Sequence, residues 1–219
     1  MALRKVFREP FSSSTKGSLT GYLREPHSTE CSIICGRPVE SVGGVALVLA
    51  AEEHVKRITS KPVWVKGIGW AIDGYYLGSK DLSELASLAA AAQRAYGMAG
   101  IRRPLEELDL AEIHEPTSYH ELMAYEALGL AEAGHGARLI EEGATERGGK
   151  LPVNMSGGAL STNLLGASGL ARAAEATLQL RGEAHGRQVA GAKLALAHGF
   201  SSLSGAASST NCVVVLERG

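Results

Sequence analysis

Val45-Ala46-Leu47-Val48-Leu49-Ala50 is an unbroken apolar run of strand length, the pattern of a strand covered on both faces. Ala51 to Ile58 reads as a short helix. Pro62 to Gly69 alternates through Val63, Val65 and Ile68, as a strand does. The strongest helical signal runs from Asp81 to Ala99. Leu82, Leu85, Ala89, Ala92, Tyr96 and Ala99 share one face, and Asp81 with Glu84 three residues on predicts a capping box. Leu108 to Ile113 reads as a strand. Ser118 opens another helix, with Glu121 three residues later and Gly129 at its end. Lys150 to Asn154 is a brief strand entering a glycine-rich turn, and Gly166 to Leu180 a helix stopped by Gly182. Lys193 to Ala197 and Cys212 to Leu216 are the last strands, joined by a Ser- and Gly-rich loop. Strands alternating with helices predict a mostly parallel sheet with helices on both faces, closed by an antiparallel hairpin at one side.

Residues 1–37 have a different texture. Ser12-Ser13-Ser14-Thr15-Lys16-Gly17-Ser18 is polar and of low complexity, with Arg, Glu and Pro around it and no apolar period. Alone it has no means of burying a core, so it is read as an arm that orders only against something else.

Composition sharpens this. The chain has 219 residues, 45% hydrophobic but only 5% aromatic, with 27 glycines, a composition that packs helices closely onto sheets through small side chains. A chain of this length buries roughly 70% of its unfolded surface. Its 22 basic and 23 acidic residues give a net charge of −1, which excludes a general nucleic-acid binder. No apolar run is long enough to span a bilayer. Met1 to Arg8 is basic but no apolar stretch follows, so no signal peptide is expected. Three cysteines, Cys31, Cys35 and Cys212, make neither a disulfide framework nor a structural zinc site. Cys31-Ser-Ile-Ile-Cys35 is half a site with no second pair, so no metal is expected and a reducing cytoplasm is the default. Gly67-Ile68-Gly69 lacks the third glycine and the acid of a dinucleotide site, and no Gly-Lys-Ser/Thr marks a P-loop. Nothing orders a Ser-His-Asp triad.

Three segments follow predicted strands, where α/β proteins place their chemistry. They are Ile113-His114-Glu115-Pro116-Thr117-Ser118, the loop from Asn154 through Ser156-Gly157-Gly158 to Gly169, and Ala197-His198-Gly199-Phe200. In order and spacing this set resembles the C-terminal half of the thiolase superfamily, over about Pro38 to Gly219 and including the closing Val-Val-Val-Leu-Glu strand. The resemblance implies a layered α-β-α-β-α fold with a mixed five-stranded sheet. Residues 1–37 then correspond to the tail of the family's loop domain, 38–61 to the last strand and helix of the N-terminal unit, and 62–219 to the C-terminal domain. The rest of the first unit, with its nucleophilic cysteine, has no counterpart. An apolar strand such as Val45–Ala50 cannot satisfy its backbone alone. The expectation is a split thiolase whose partner chain completes the fold and supplies the cysteine.

The resemblance also implies roles. His114, with Glu115, occupies the Asn/His-acid motif, where the first residue holds a water that donates to a thioester carbonyl. Pro116-Thr117 replaces the usual Ala-Phe. Asn154, Gly157 and Gly158 match the N-x-x-G-G loop, with Ser156 beside them, but Thr162-Asn163-Leu164 stands where most members have Gly-His-Pro. An amide donates a hydrogen bond but takes no proton near neutral pH, so Asn163 keeps an oxyanion role and loses the base role. His198, followed by Gly199, takes the last catalytic position, where an imidazole can move a proton α to a thioester. Phe200-Ser201-Ser202 replaces the usual Gly-Gly. The catalytic set is therefore His114, Asn163 and His198, and the substrate-binding set Glu115, Ser156, Gly157, Gly158 and Gly199. Tyr119 and His120 open a helix near His114, where either could line the pocket, the helix surface being the preferred placement; Cys35 and Cys212 are placed in packing, and Asp73, Tyr75 and Tyr76 in a loop near the site mouth. The implied activity is making or cleaving C–C bonds in 3-oxoacyl-CoA thioesters, with coenzyme A as part of the substrate and no covalent cofactor. Besides the half carrying the cysteine, a small OB-fold zinc-ribbon protein is an implied partner. Family members lacking the usual residues resemble retro-aldolases on CoA esters, the alternative reading, and a non-catalytic subunit that completes the fold is the third.

Overall fold

The computed structural model describes residues 2–5, 41–74, 76, 78, 80–201 and 210–219. In chain order the strands are β1 (Ala2–Lys5), β2 (Leu47–Ala50), β3 (Val63–Ile72), β4 (Leu110–Glu112), β5 (Leu194–Ser201) and β6 (Thr210–Arg218). The helices are α1 (Val55–Ile58), α2 (Ala86–Ala99), α3 (Pro104–Glu107), α4 (Ser118–Ala127), α5 (Gly136–Glu141), α6 (Gly158–Ser161) and α7 (Ser168–Arg181). The strands form one sheet of 6, in the order β2-β1-β3-β6-β5-β4. None of the helices among the described residues is long and apolar enough to cross a membrane.

The sheet is mixed, and mostly antiparallel rather than mostly parallel. β6 runs antiparallel to both β3 and β5, while β4 runs parallel to β5. The closing hairpin therefore lies inside the sheet, because β6 inserts between β5 and the long β3. A hydrophobic pattern records which faces are buried, not strand direction, so the expectation of mostly parallel strands rested on the alternation of elements alone and does not hold. The expected strand at Lys150–Asn154 is a single parallel bridge, Val153 to Ala111, at the β4 edge. β3, β6, β5, β4 and this bridge match the expected five-stranded sheet; β1 and β2 extend it at the other edge. Of the front arm, Ala2–Lys5 pairs with β2, and residues 6–37 lie outside the described residues.

Small residues set the packing. A Cβ on Gly67 would sit 2.1 Å from the carbonyl oxygen of Ala95, and one on Gly69 1.9 Å from that of Ala91, so α2 lies almost directly on β3. Leu88, Ala91, Ala92, Ala95 and Tyr96 of α2 join Val213, Val215, Leu196 and Tyr125 in one core. α7 covers the opposite face near β4 and β5 through Ala176 and Leu180, against Leu110, Ala195, Ala197 and Leu216.

Two features of this packing differ from the sequence expectation. Helix α2 starts at Ala86, not Asp81: Asp81 accepts from Ser83 N at 2.9 Å in a local turn, and Asp73 Oδ1 accepts from Ser87 N at 3.1 Å instead. Leu82, assigned to the buried face, is 55% exposed. Strand β2 is not covered on both faces either. It is an edge strand whose Val48 and Leu49 are 41% and 54% exposed. On β3, the face turned away from α2 shows Ile68, Trp70 and Ile72, exposed by 45%, 61% and 63%. Cys212 pairs with Trp70 in the ladder and is half-buried rather than core.

The glycine contact gives a direct check. Gly69→Ala is expected to destabilise the chain by ~2 kcal/mol, since backbone rather than a flexible side chain must move. Gly44→Ala, with nothing within 4 Å, should leave the midpoint of a denaturant melt unchanged.

Candidate active site

The three motif segments converge at the C-terminal ends of β4 and β5. Each is held by a bond that its sequence makes possible. Asn154 adopts φ 53°, a left-handed conformation that Asn tolerates, and its Oδ1 accepts from Ile113 N at 2.7 Å. Glu112 Oε1 accepts from Ser156 N at 3.1 Å, and Ser156 Oγ donates to Glu112 Oε2. Glu115 Oε1 accepts from Leu160 N at 3.1 Å. The end of β4 and the glycine loop are thus laced together by alternate side chains. Gly158 has φ 64°, and a Cβ there would stand 1.8 Å from Glu115 Oε1. Gly199 is a contact point of another kind: a Cβ would lie 2.8 Å from the Cα of Gly169, so the first turn of α7 presses on β5.

Beneath the loop lies a buried ionic network that sequence reading missed. Arg172 of α7 donates to Ser156 Oγ at 2.9 Å and faces Glu112 Oε2 at 3.5 Å. Arg187 grips Glu175 with bonds of 3.2 and 3.0 Å. Burial raises the Glu112 carboxyl to about 7, against the pull of Arg172. Burial and the neighbouring Glu121 raise Glu115 to about 8. Glu115 Oε2 has no hydrogen-bond partner. The signal for Glu112 was an acid inside the run Leu110-Ala111-Glu112-Ile113; Arg172 gave none, since a single arginine in a helix reads as a solvated side chain.

Above the network lies a group of imidazoles around Phe200. His114 is 4.3 Å from the Phe200 ring, His120 5.0 Å and His198 6.3 Å, centroid to centroid. Phe200 N donates to His114 Nδ1 at 3.4 Å, which puts the His114 proton on Nε2, where no described residue accepts it. His198 is fully buried. Its Nδ1 accepts from His114 N at 3.4 Å and its Nε2 donates to Asn211 Oδ1 at 2.8 Å. Asn211 in turn donates to Ser87 of α2 at 2.7 Å. As placed, His198 has no free nitrogen for the proton-moving part expected of it. His120 is buried rather than on the helix surface, its ring stacked on Phe200; Thr117 rather than Ser118 caps α4 and accepts from His120 N at 3.2 Å. Tyr119 is exposed, as expected. Burial pushes His114 down to about 3 and His120 and His198 to about 4, so all three are neutral near pH 7.

Asn163 Oδ1 accepts from Leu165 N at 3.0 Å and Ser168 Oγ at 2.9 Å. This fixes the amide and leaves Nδ2 as its donor. Tyr76 is exposed, while Tyr75 lies outside the described residues, as do Cys31 and Cys35. No group of three or more His, Cys, Asp or Glu among the described residues is placed to hold a metal.

The family model "Thiolase C-terminal domain-like" matches residues 71–218. The chain belongs to the thiolase superfamily. This thiolase-like chain is 37% identical over 169 residues to an acetyl-CoA acetyltransferase of Methanothermobacter thermautotrophicus, with 76% of the chain and 44% of the relative aligned. It is 40% identical over 176 residues to sterol carrier protein 2 of Oryctolagus cuniculus, covering 76% of the chain and 31% of that protein. A benzoylsuccinyl-CoA thiolase subunit of Thauera aromatica is 33% identical over 149 residues, covering 67% and 38%. Among solved structures, the Ltp2-ChsH2(DUF35) aldolase matches with a TM-score of 0.71 at 22% identity, over 83% of this chain and 46% of that one, a likeness of fold. The chain spans less than half the length of these relatives.

The buried carboxyls predict a pH dependence. Glu115 keeps its proton in the folded state up to about 8 and loses it near 4.5 unfolded, so its contribution is present below pH 4.5 and is lost as pH rises through 8. The depressed histidines act oppositely, adding stability between about pH 4 and 6.5. Between pH 6.5 and 8 only the carboxyl losses remain. Denaturant melts of Glu115→Gln should therefore decline less over that interval than those of the wild type.

Proposed function

We propose that this chain is the C-terminal-half subunit of a thiolase-like enzyme that makes or cleaves C–C bonds in 3-oxoacyl-CoA thioesters. A partner chain would supply the nucleophilic cysteine. The observation that supports this reading is that the hydrogen bonds of His114 and Asn163, on two of the converging motif loops, leave His114 Nε2–H and Asn163 Nδ2 free to donate. In thiolysis the partner's thiolate bonds to the 3-keto carbon and the C2–C3 bond breaks. Its electron pair becomes the enolate of the departing thioester. His114 and Asn163 donate to that developing oxyanion, worth about 3 kcal/mol per donor in comparable sites. His198 holds the His114 backbone in place. Glu115, Ser156, Gly157, Gly158 and Gly199 shape the pocket floor: Ser156 is committed to Glu112 and Arg172, and the Gly157 and Gly158 N–H groups to Asn154 and Ser156. Coenzyme A enters as part of the substrate.

The open face of β3, with Trp70 at its centre, supports the partner. Apolar side chains this exposed in a row mark a surface that another chain covers. A small OB-fold zinc-ribbon protein is the second proposed partner, and the solved aldolase whose name joins two components accords with it.

One feature favours a second reading. Asn163 stands where an imidazole would activate the cysteine, and aldol cleavage needs no acyl-cysteine. Products separate the two: thiolysis consumes free coenzyme A, whereas retro-aldol cleavage releases a carbonyl compound without it.

His114→Ala and Asn163→Leu should each lower turnover of the assembled enzyme by about 10²–10³-fold. Unchanged turnover in both would make the chain a fold-completing subunit. Trp70→Glu should abolish partner binding in gel filtration while leaving the chain's own melting temperature within about 2 °C.

A further inference from the structure

We infer that His120, rather than His198, is the imidazole that exchanges a proton with the substrate. The inference rests on the proposed thioester chemistry and assigns a residue to it. Three imidazoles surround Phe200, and their nitrogens are differently occupied. His198 spends both, on His114 N and on Asn211. His114 spends Nδ1 on Phe200 N and carries its proton on Nε2, the form of a hydrogen-bond donor. His120 Nε2 is buried and has no partner at all. Its residue is only 6% exposed.

An imidazole nitrogen is rarely left unpaired inside a protein. Here the ring is also held rigidly. It stacks on Phe200 at an interplanar angle of 18°, and the Thr117 cap fixes the backbone from which it projects. The same Phe200 ring meets His114 at 4.3 Å, so His120 and the proposed oxyanion donor border one aromatic side chain. Burial keeps the ring neutral, so it carries one lone pair.

The step balances within the site. The Cα–H bond of the thioester breaks and an N–H bond forms on the imidazole. The electron pair moves into the enolate oxygen, which His114 Nε2–H and Asn163 Nδ2 hold. In the opposite direction the imidazolium returns the proton to carbon. No oxidant or other co-reactant is needed.

The test uses the chain assembled with its partner and propionyl-CoA in D2O, with deuterium at Cα followed by mass spectrometry. His120→Gln keeps a polar side chain but cannot exchange a proton. It should slow deuterium uptake about 100-fold with thioester affinity unchanged; uptake at the wild-type rate would overturn the inference. A measurement on the unaltered protein guards against a variant that fails to fold. With 15N-labelled histidine, propionyl-CoA should shift the His120 ring nitrogens and leave those of His198 in place, whereas a shift confined to His114 or His198 would count against His120. Wild-type protein that takes up no deuterium, yet shows a shift at His114, would refute proton transfer while leaving thioester binding intact. Neither uptake nor any shift would refute the proposed function itself, and His120's part with it.

Discussion

Carboxyl groups buried at the end of β4 set the geometry of everything around them. Removing an ionised carboxylate from water is costly, and the structure meets that cost in two ways. Glu112 is given Ser156 and Arg172, and Glu115 is given the backbone of Leu160 while its burial favours the protonated form. Each compensation is also a tether. The glycine loop cannot move without exposing Glu112 or orphaning it, and Gly158 cannot carry a side chain without displacing Glu115. The end of β4 and the glycine loop are therefore held together by the demand that these acids be satisfied.

Much of the architecture was legible because it depends on local pattern. The apolar run at Lys193–Ala197, the alternation at Pro62–Gly69 and the Gly182 stop each describe a residue's immediate surroundings, and each element stands where expected. What failed depends on distant partners. Asp81 and Glu84 have the form of a capping box, but Asp73, brought in from the end of β3, caps α2 instead. Strand direction rests on which neighbour β6 finds. The site was legible in outline, since the motif loops are contiguous in sequence. Its ionic floor was not: Arg172 looks like a surface residue until the loop above it is placed. The helix-surface placement preferred for His120 failed because the ring that covers it, Phe200, comes from the distant end of β5.

The arrangement divides labour among similar side chains. Three histidines share one aromatic ring yet differ in what their nitrogens touch. His198 ties β5 to β6 and α2 through Asn211 and Ser87, His114 presents a proton, and His120 presents a vacancy for one. Environment rather than residue type separates them, since burial makes all three neutral. In the proposed chemistry Asn163 completes the set with an amide that donates without titrating, so the oxyanion contacts would hold their protonation across ordinary pH.

The uncovered row on β3 has a consequence for the life of the polypeptide before assembly. Ile68, Trp70 and Ile72 stand outward on a long, well-paired strand, and β2 leaves an open edge beyond it. Among the described residues, one flank shows apolar side chains and a strand edge without a neighbour, the features by which chaperones and proteases sort immature proteins. In the proposed assembly, supply of the partner chain would govern abundance, and surplus copies would be the first to be cleared.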